Sequence, residues 1–183
     1  MSILKIIQPD NPVLRKKANK VNNFNDKKLQ TLVDDMIETL KDAPGVGLAA
    51  PQVAKSVRLI IVRLPDETEE DREEYGEEAG ETYVVFNPKI IKESRETELG
   101  VEGCLSLPGL YGEVERHETV VVTGQDRDGK KFRLKPKGFL ARVFQHEIDH
   151  LDGILFIDRT ENVWRYEDKA EDEVEAEAET EES

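Results

Sequence analysis

A chain of 183 residues suits one domain and is long enough to bury a sizeable core. Its net charge of −14 argues against indiscriminate nucleic-acid binding. One cysteine excludes an internal disulfide and fits a reducing compartment, and no apolar run nears the ~20 residues that span a bilayer. The charge is uneven. Residues 66–81 hold ten acids and one Arg, and residues 167–183 hold ten acids and one Lys. Each segment therefore carries −9, and the remainder of the chain carries +4. The expected organisation is a mildly basic body over residues 1–165, an acidic insertion at 66–81, and an acidic tail at 166–183. Both acidic segments are expected to be solvated and disordered. The first residues, MSILKIIQPDNPVLRKK, lack the apolar core and cleavage site of a signal peptide, so the expected location is cytoplasmic.

The first strong periodic segment is NDKKLQTLVDDMIETLKDA. Leu29, Leu32, Val33, Met36, Ile37 and Leu40 form a helical stripe, with Asn25 as the expected N-cap and Pro44-Gly45 as the stop. GVGLAAPQ (45–52) reads as a loop. Ser56–Leu64 reads as a strand rich in β-branched residues, and Tyr83–Phe86 as the next, closed by Asn87-Pro88. Thr119–Thr123 and Lys131–Leu134 flank Asp128-Gly129, which predicts a hairpin with a tight primed turn. A second helix covers GFLARVFQHEIDHLDG. Its polar stripe, Arg142, Gln145, Asp149 and Asp152, is so narrow that the helix must be packed on most sides, and Gly153 ends it. ILFI then reads as a closing strand. The fold class is α+β: small mixed or antiparallel sheets around a central C-terminal helix.

That helix carries His146-Glu-Ile-Asp-His150, an H-E-x-x-H motif. Residues i and i+4 share one helix face, so both imidazoles can reach one ion, while Glu147 is rotated off that line and can reach a water without being a ligand. Two surface histidines would be the bland alternative. Against it, the chain has three histidines in all, and two stand at this spacing among apolar positions: Phe139, Val143, His146 and His150 share a face. Burying them without a partner would be costly. A catalytic metal site needs a third protein ligand and an open position. Cys104 in VEGCLSLPG is one candidate, and as a lone cysteine it could equally be a small core residue. His117 lies in a polar run. Asp158, Glu161, Glu167 and Asp168 would serve a thermolysin-like endopeptidase if that region returned to the metal. A purely structural metal, with the acidic segments as interaction arms, is the non-enzymatic alternative.

Three segments together resemble the peptide deformylases: GVGLAAPQ (45–52), EGCLSLP (102–108) and QHEIDH (145–150), in the order of that family. Pro12-Val-Leu-Arg15 and LDGILFIDR (151–159) resemble it too, and the resemblance covers roughly residues 3–160. It implies that Cys104, His146 and His150 hold one divalent metal ion, typically Fe²⁺, with Zn²⁺, Ni²⁺ or Co²⁺ able to replace it. It implies Glu147 as the acid/base, with Gln52 and the Leu105 N–H as oxyanion donors. Val46, Gly47 and Gly103 would pair with an extended peptide, and Phe139, Val143 and His146 would wall a methionine pocket. The implied activity is removal of the formyl group from N-formylmethionyl nascent polypeptides, close to the ribosome, with no DNA or membrane partner. Many members carry an Arg seven residues after the Cys. Here that position is Tyr111, which puts the contacts to later substrate residues in question.

Overall fold

The structure is a computed structural model that describes residues 2–66 and 68–166. Its strands are β1 (Gly47–Ala49), β2 (Leu59–Arg63), β3 (Thr82–Glu93), β4 (Thr97–Cys104), β5 (Leu107–His117), β6 (Val120–Gln125), β7 (Lys131–Leu134) and β8 (Val163–Arg165). Its α-helices are α1 (Lys27–Asp42), α2 (Glu69–Tyr75) and α3 (Gly138–Leu151). One sheet has the order β1-β2-β3-β6-β7 and the other β4-β5-β8, and all their pairings are antiparallel. This is the expected α+β fold. None of its described helices is long and apolar enough to cross a membrane.

The central strand β2 explains the unbroken apolar run in its sequence. Leu59 and Ile61 point into a core with Val33, Met36 and Leu40 of α1, while Ile60 and Val62 point into a core with Phe144, Ile148 and Leu151 of α3. A strand covered on both faces has no polar alternation. Each such side chain contributes about 1.5–3 kcal/mol by leaving water. The α3 helix packs its apolar face on this sheet. Its polar stripe is buried as well: Arg142, Gln145 and Asp149 are 8%, 5% and 8% exposed. The stripe faces the second sheet, so α3 lies between the two sheets with no solvent side along its central turns.

Several expectations are corrected. The N-cap of α1 is Asp26, not Asn25; its carboxylate accepts from the Lys28 N–H at 2.9 Å. GVGLAAPQ is not all loop: Gly47–Ala49 is an edge strand and Ala50–Val53 a 3-10 turn. Strand β3 does not stop at Asn87-Pro88. It runs on through an irregularity at which Asn87 takes φ 49°, a conformation asparagine tolerates. The Asn87 side chain is held there by the backbone of Val21 on both sides, at 2.8 Å each. The hairpin exists, but its turn is not primed: Asp126 Oδ1 accepts from the N–H groups of Asp128 and Lys130, and only Gly129 has positive φ, +81°. ILFI is not a strand. Phe156–Asp158 is a 3-10 turn, because Asp158 accepts from the Leu155 N–H and pairs with Arg15. The closing strand is β8.

The acidic insertion, expected to be disordered, contains α2. Thr68 and Asp71 form a reciprocal capping box, at 2.8 and 3.0 Å, and three acids occupy the first turn, where the helix dipole favours them. Backbone bonds between Leu64 and Gly80–Glu81 close its base. Residues 167–183 lie outside the described residues.

Candidate metal centre

The site is assembled from α3 and the β4–β5 hairpin. On α3, His146, Glu147 and His150 are 9%, 4% and 1% exposed. Side-chain bonds tie the polar stripe of α3 to the second sheet, among them Arg116 to Asp149, Arg142 to Glu102, and Gln145 to the backbone of His117. These contacts fix the rotation of α3, and so direct both histidines toward the end of β4. There Cys104 pairs with Leu107, which makes Leu105-Ser106 a two-residue turn. The Cys104 sulfur lies 3.4 Å from His150 Nε2. The ligand atoms of Cys104, His146 and His150 all lie within 4.8 Å of one another, and this is the one such group among the described residues.

The other candidates for a third ligand are accounted for elsewhere. The His117 ring lies 2.8 Å from the Ser94 carbonyl and beside Glu93 at the far end of β5. Asp158 caps the turn after α3, Glu161 is exposed, and Glu167 and Asp168 lie outside the described residues.

The donor set suits a soft or borderline divalent cation, since one sulfur and two imidazoles fit iron or zinc better than magnesium or calcium. Electrostatics agree. His146 Nδ1 is 2.9 Å from Glu102 Oε2, which turns Nε2 toward the sulfur. Burial opposes the charged ring of His146, but its contacts with Cys104 and Glu102 outweigh burial and raise its pKa to about 10. Burial, His146 and Arg116 push His150 well below its ordinary value, so it stays neutral as a ligand must. Two buried polar atoms, Glu147 Oε2 and His150 Nδ1, have no hydrogen-bond partner among the described residues. Burial drives the Glu147 carboxyl up to about 7, where it can both take and give a proton near neutrality.

Gln52 is buried beside this group with its amide fixed. Its Oε1 accepts from the Ala49 N–H at 2.8 Å, so Nε2 points toward the Cys104 sulfur, 3.5 Å away, and Ser106 Oγ, 3.3 Å away. Leu105 is the first residue of the adjacent turn. A cleft of about 590 Å³ opens over these groups. Val46, Gly47, Gly103, Phe139 and Val143 all line it, as do Glu147 and Tyr111. Residues of two edge strands, β1 and β4, line the cleft. Gly47 is required by contact: a Cβ there would sit 2.3 Å from Glu147 Oε1. The Tyr111 ring packs over Gly103, where a Cβ would meet it at 3.1 Å.

Sequence reasoning missed the residues behind the site. Arg116 grips Glu102 with two bonds, at 2.8 and 2.9 Å, and reaches Asp149 at 2.6 Å. Arg142 joins Glu102 at 3.0 Å, and Arg159 joins Asp149 with two bonds of 2.5 Å. Ser106, fully buried, supports Gln52. A signal was present: Glu102 and Ser106 stand inside the EGCLSLP segment, and the stripe of Arg142 and Asp149 lies on a helix that is otherwise apolar.

Comparison with known proteins identifies the family. The family model described as polypeptide deformylase matches residues 3–166. The peptide deformylase of Symbiobacterium thermophilum is 47% identical over 177 residues, covering 97% of this chain and 76% of that protein. That of Dehalococcoides mccartyi is 48% identical over 162 residues, covering 88% and 89%. Among solved structures, the peptide deformylase of Thermotoga maritima superposes with a TM-score of 0.76 at 39% identity, covering 87% of this chain and 98% of that one. A Met-Ala-Ser-bound class I type b peptide deformylase from Acinetobacter baumannii gives 0.78 at 39% identity, covering 87% and 100%. Sequence, fold and the convergence of Cys104, His146 and His150 lead to one conclusion: the chain belongs to the polypeptide deformylase family.

Proposed function

We propose that this chain hydrolyses the N-terminal formyl group of N-formylmethionyl polypeptides and releases formate. The observation that carries this is three donor atoms converging within 4.8 Å of one another, two of them on residues that line a peptide-sized cleft, beside Glu147, whose buried Oε2 has no partner among the described residues. Cys104, His146 and His150 would hold one divalent ion per chain, Fe²⁺ in the cell, with Zn²⁺, Ni²⁺ or Co²⁺ suited to the same donors. Such an ion supplies Lewis acidity and makes water a competent nucleophile near neutral pH.

The protein groups then divide the work. Val46, Gly47 and Gly103 on the two sheet edges pair with the extended peptide backbone, as an added strand pairs with any open edge. Phe139, Val143 and the His146 ring wall the space for the first side chain. Glu147 takes a proton from the attacking water and later delivers one to the departing α-amine. The Gln52 Nε2 and the Leu105 N–H donate to the formyl oxygen as charge develops on it, and each such donor is worth about 10²–10³ in rate. A formyl carbon bears only hydrogen, so a closed end of the cleft admits it and rejects a longer chain.

Such a substrate is met as a nascent chain, so the enzyme works beside the ribosome in the bacterial cytoplasm, with no DNA or membrane partner. The 167–183 segment carries −9 and should repel ribosomal RNA rather than dock on it. Truncation after Tyr166 should leave kcat/KM on a short formyl-peptide unchanged and tighten ribosome binding in a salt-sensitive way. Weaker ribosome binding would overturn that part. The central test is anaerobic formate release from formyl-Met-Ala by the metal-loaded protein and by Cys104→Ala. The wild type should be active, and the variant should lose both metal and activity. Stoichiometric metal with full activity in Cys104→Ala would exclude the three-ligand assignment, and cleavage of unformylated internal bonds would favour an endopeptidase.

A further inference from the structure

The acidic insertion touches a residue that lines the cleft. Its helix α2 ends at Tyr75, whose ring stacks on Phe139 with centroids 5.7 Å apart and 28° between the planes. Phe139 is 42% exposed at the second position of α3, one turn before Val143 and two before His146, and it lines the cleft. The Phe139 ring therefore has cleft on one side and the insertion on another. Helices as short as α2 are marginal by themselves, so this one relies on its cap, its closed base and its docking contacts. Tyr75 is a docking contact too, partly buried against the core that holds Val143 and Phe144.

We propose that Tyr75 is a positioning residue for substrate selection: it sets the Phe139 ring as a wall of the pocket for the first side chain of the formyl-peptide. The ligand class concerned is a formyl-peptide whose first side chain is long, unbranched and apolar. The assignment rests on the deformylase reading above. An exposed aromatic at the start of a helix has free rotamers, and a stacked neighbour removes them. A wall fixed in advance selects by shape. A wall that swings away admits larger side chains and grips the preferred one less well.

The experiment compares wild type, Tyr75→Ala and Tyr75→Phe, each loaded with the same metal, on formyl-Met-Ala and on formyl-Phe-Ala. Tyr75→Ala should raise KM for formyl-Met-Ala and lower its kcat/KM by about 2- to 12-fold, the equivalent of one aromatic pair. Its kcat should stay within about twofold, since Tyr75 does not touch the reacting atoms. The preference for Met over Phe should narrow. Tyr75→Phe, which keeps the ring, should behave as wild type. If Tyr75→Ala folds poorly, the same cycle in a Phe139→Leu background with Tyr75→Leu decides: a Tyr75 effect that vanishes once Phe139 is gone supports the coupling. Unchanged selectivity in Tyr75→Ala, or an equal loss on both substrates, would overturn the inference. An inactive wild type would instead overturn the deformylase reading.

Discussion

Carboxylates crowd two regions of this molecule and do opposite things in them. In the insertion that carries α2, the described acids are exposed or half-exposed, and their structural contribution is local: Asp71 closes a capping box, and the first-turn acids face the helix N-terminus. In the seam between α3 and the second sheet, Glu102, Glu147 and Asp149 are 5%, 4% and 8% exposed. Two of these three are tied to arginines, and one is not. Burial works to raise Glu102, yet its bonds from Arg116 and His146 hold it well below the usual carboxylate range. Glu147, at the same depth but without such bonds, rises to about 7. Pairing, not burial or number, separates a carboxylate that braces a site from one that can move a proton there.

Breaking that contrast begins with the unpaired acid. Glu147→Gln should retain metal and lose about 10²–10⁴ in kcat, measured on formyl-Met-Ala, because an amide cannot take the proton. A kcat within a few-fold of wild type would show that its lack of partners has no chemical meaning. Next is the paired acid. Glu102→Gln leaves Arg116 buried and short of a counter-charge, which should cost about 3–5 kcal/mol in denaturant unfolding. The same variant should weaken metal binding by about 10- to 100-fold, because His146 loses the group that orients its ring. If metal affinity is unchanged, Glu102 braces the fold alone.

The surface acids should give small effects. Thr68→Ala removes half of the capping box and should cost about 1 kcal/mol, confined to α2 and read as roughly fivefold faster amide exchange over Asp71–Tyr75. Asp158 is intermediate. Its partial burial works to raise its pKa, but bonds from Arg15 and the Leu155 N–H prevail and lower it. Stability from that pair is therefore present above the unfolded value of 3.8 and lost as pH falls through the lower folded value. The pair is well exposed, so Asp158→Asn should abolish that acid dependence while lowering stability at pH 7 by less than about 1 kcal/mol. Neutralising Glu69 and Glu70 to Gln should change unfolding free energy by no more than about 0.5 kcal/mol.

Local pattern in the sequence determined the identity of α1 and α3, the apolar strand β2, and the pairing of the two histidines on one face of α3. A helical stripe and an i, i+4 spacing are local properties, and local geometry decides them. Three things were decided only by tertiary structure. The polar stripe of α3, whose narrowness pointed to a helix packed on most sides, became the buried seam of Arg142, Gln145 and Asp149, because a second sheet supplies partners 28 to 44 residues away. The residues around Cys104 left it equally a ligand or a small core residue, and it is the hairpin that brings its sulfur 3.4 Å from His150 Nε2, 46 residues later, that groups it with the two histidines. The acidic insertion read as disordered by charge. One capping box and one aromatic contact, Tyr75 on Phe139, oppose its charge repulsion, and neither is visible in a net charge. In each case the deciding partner is distant in sequence, or is a single contact that composition averages away.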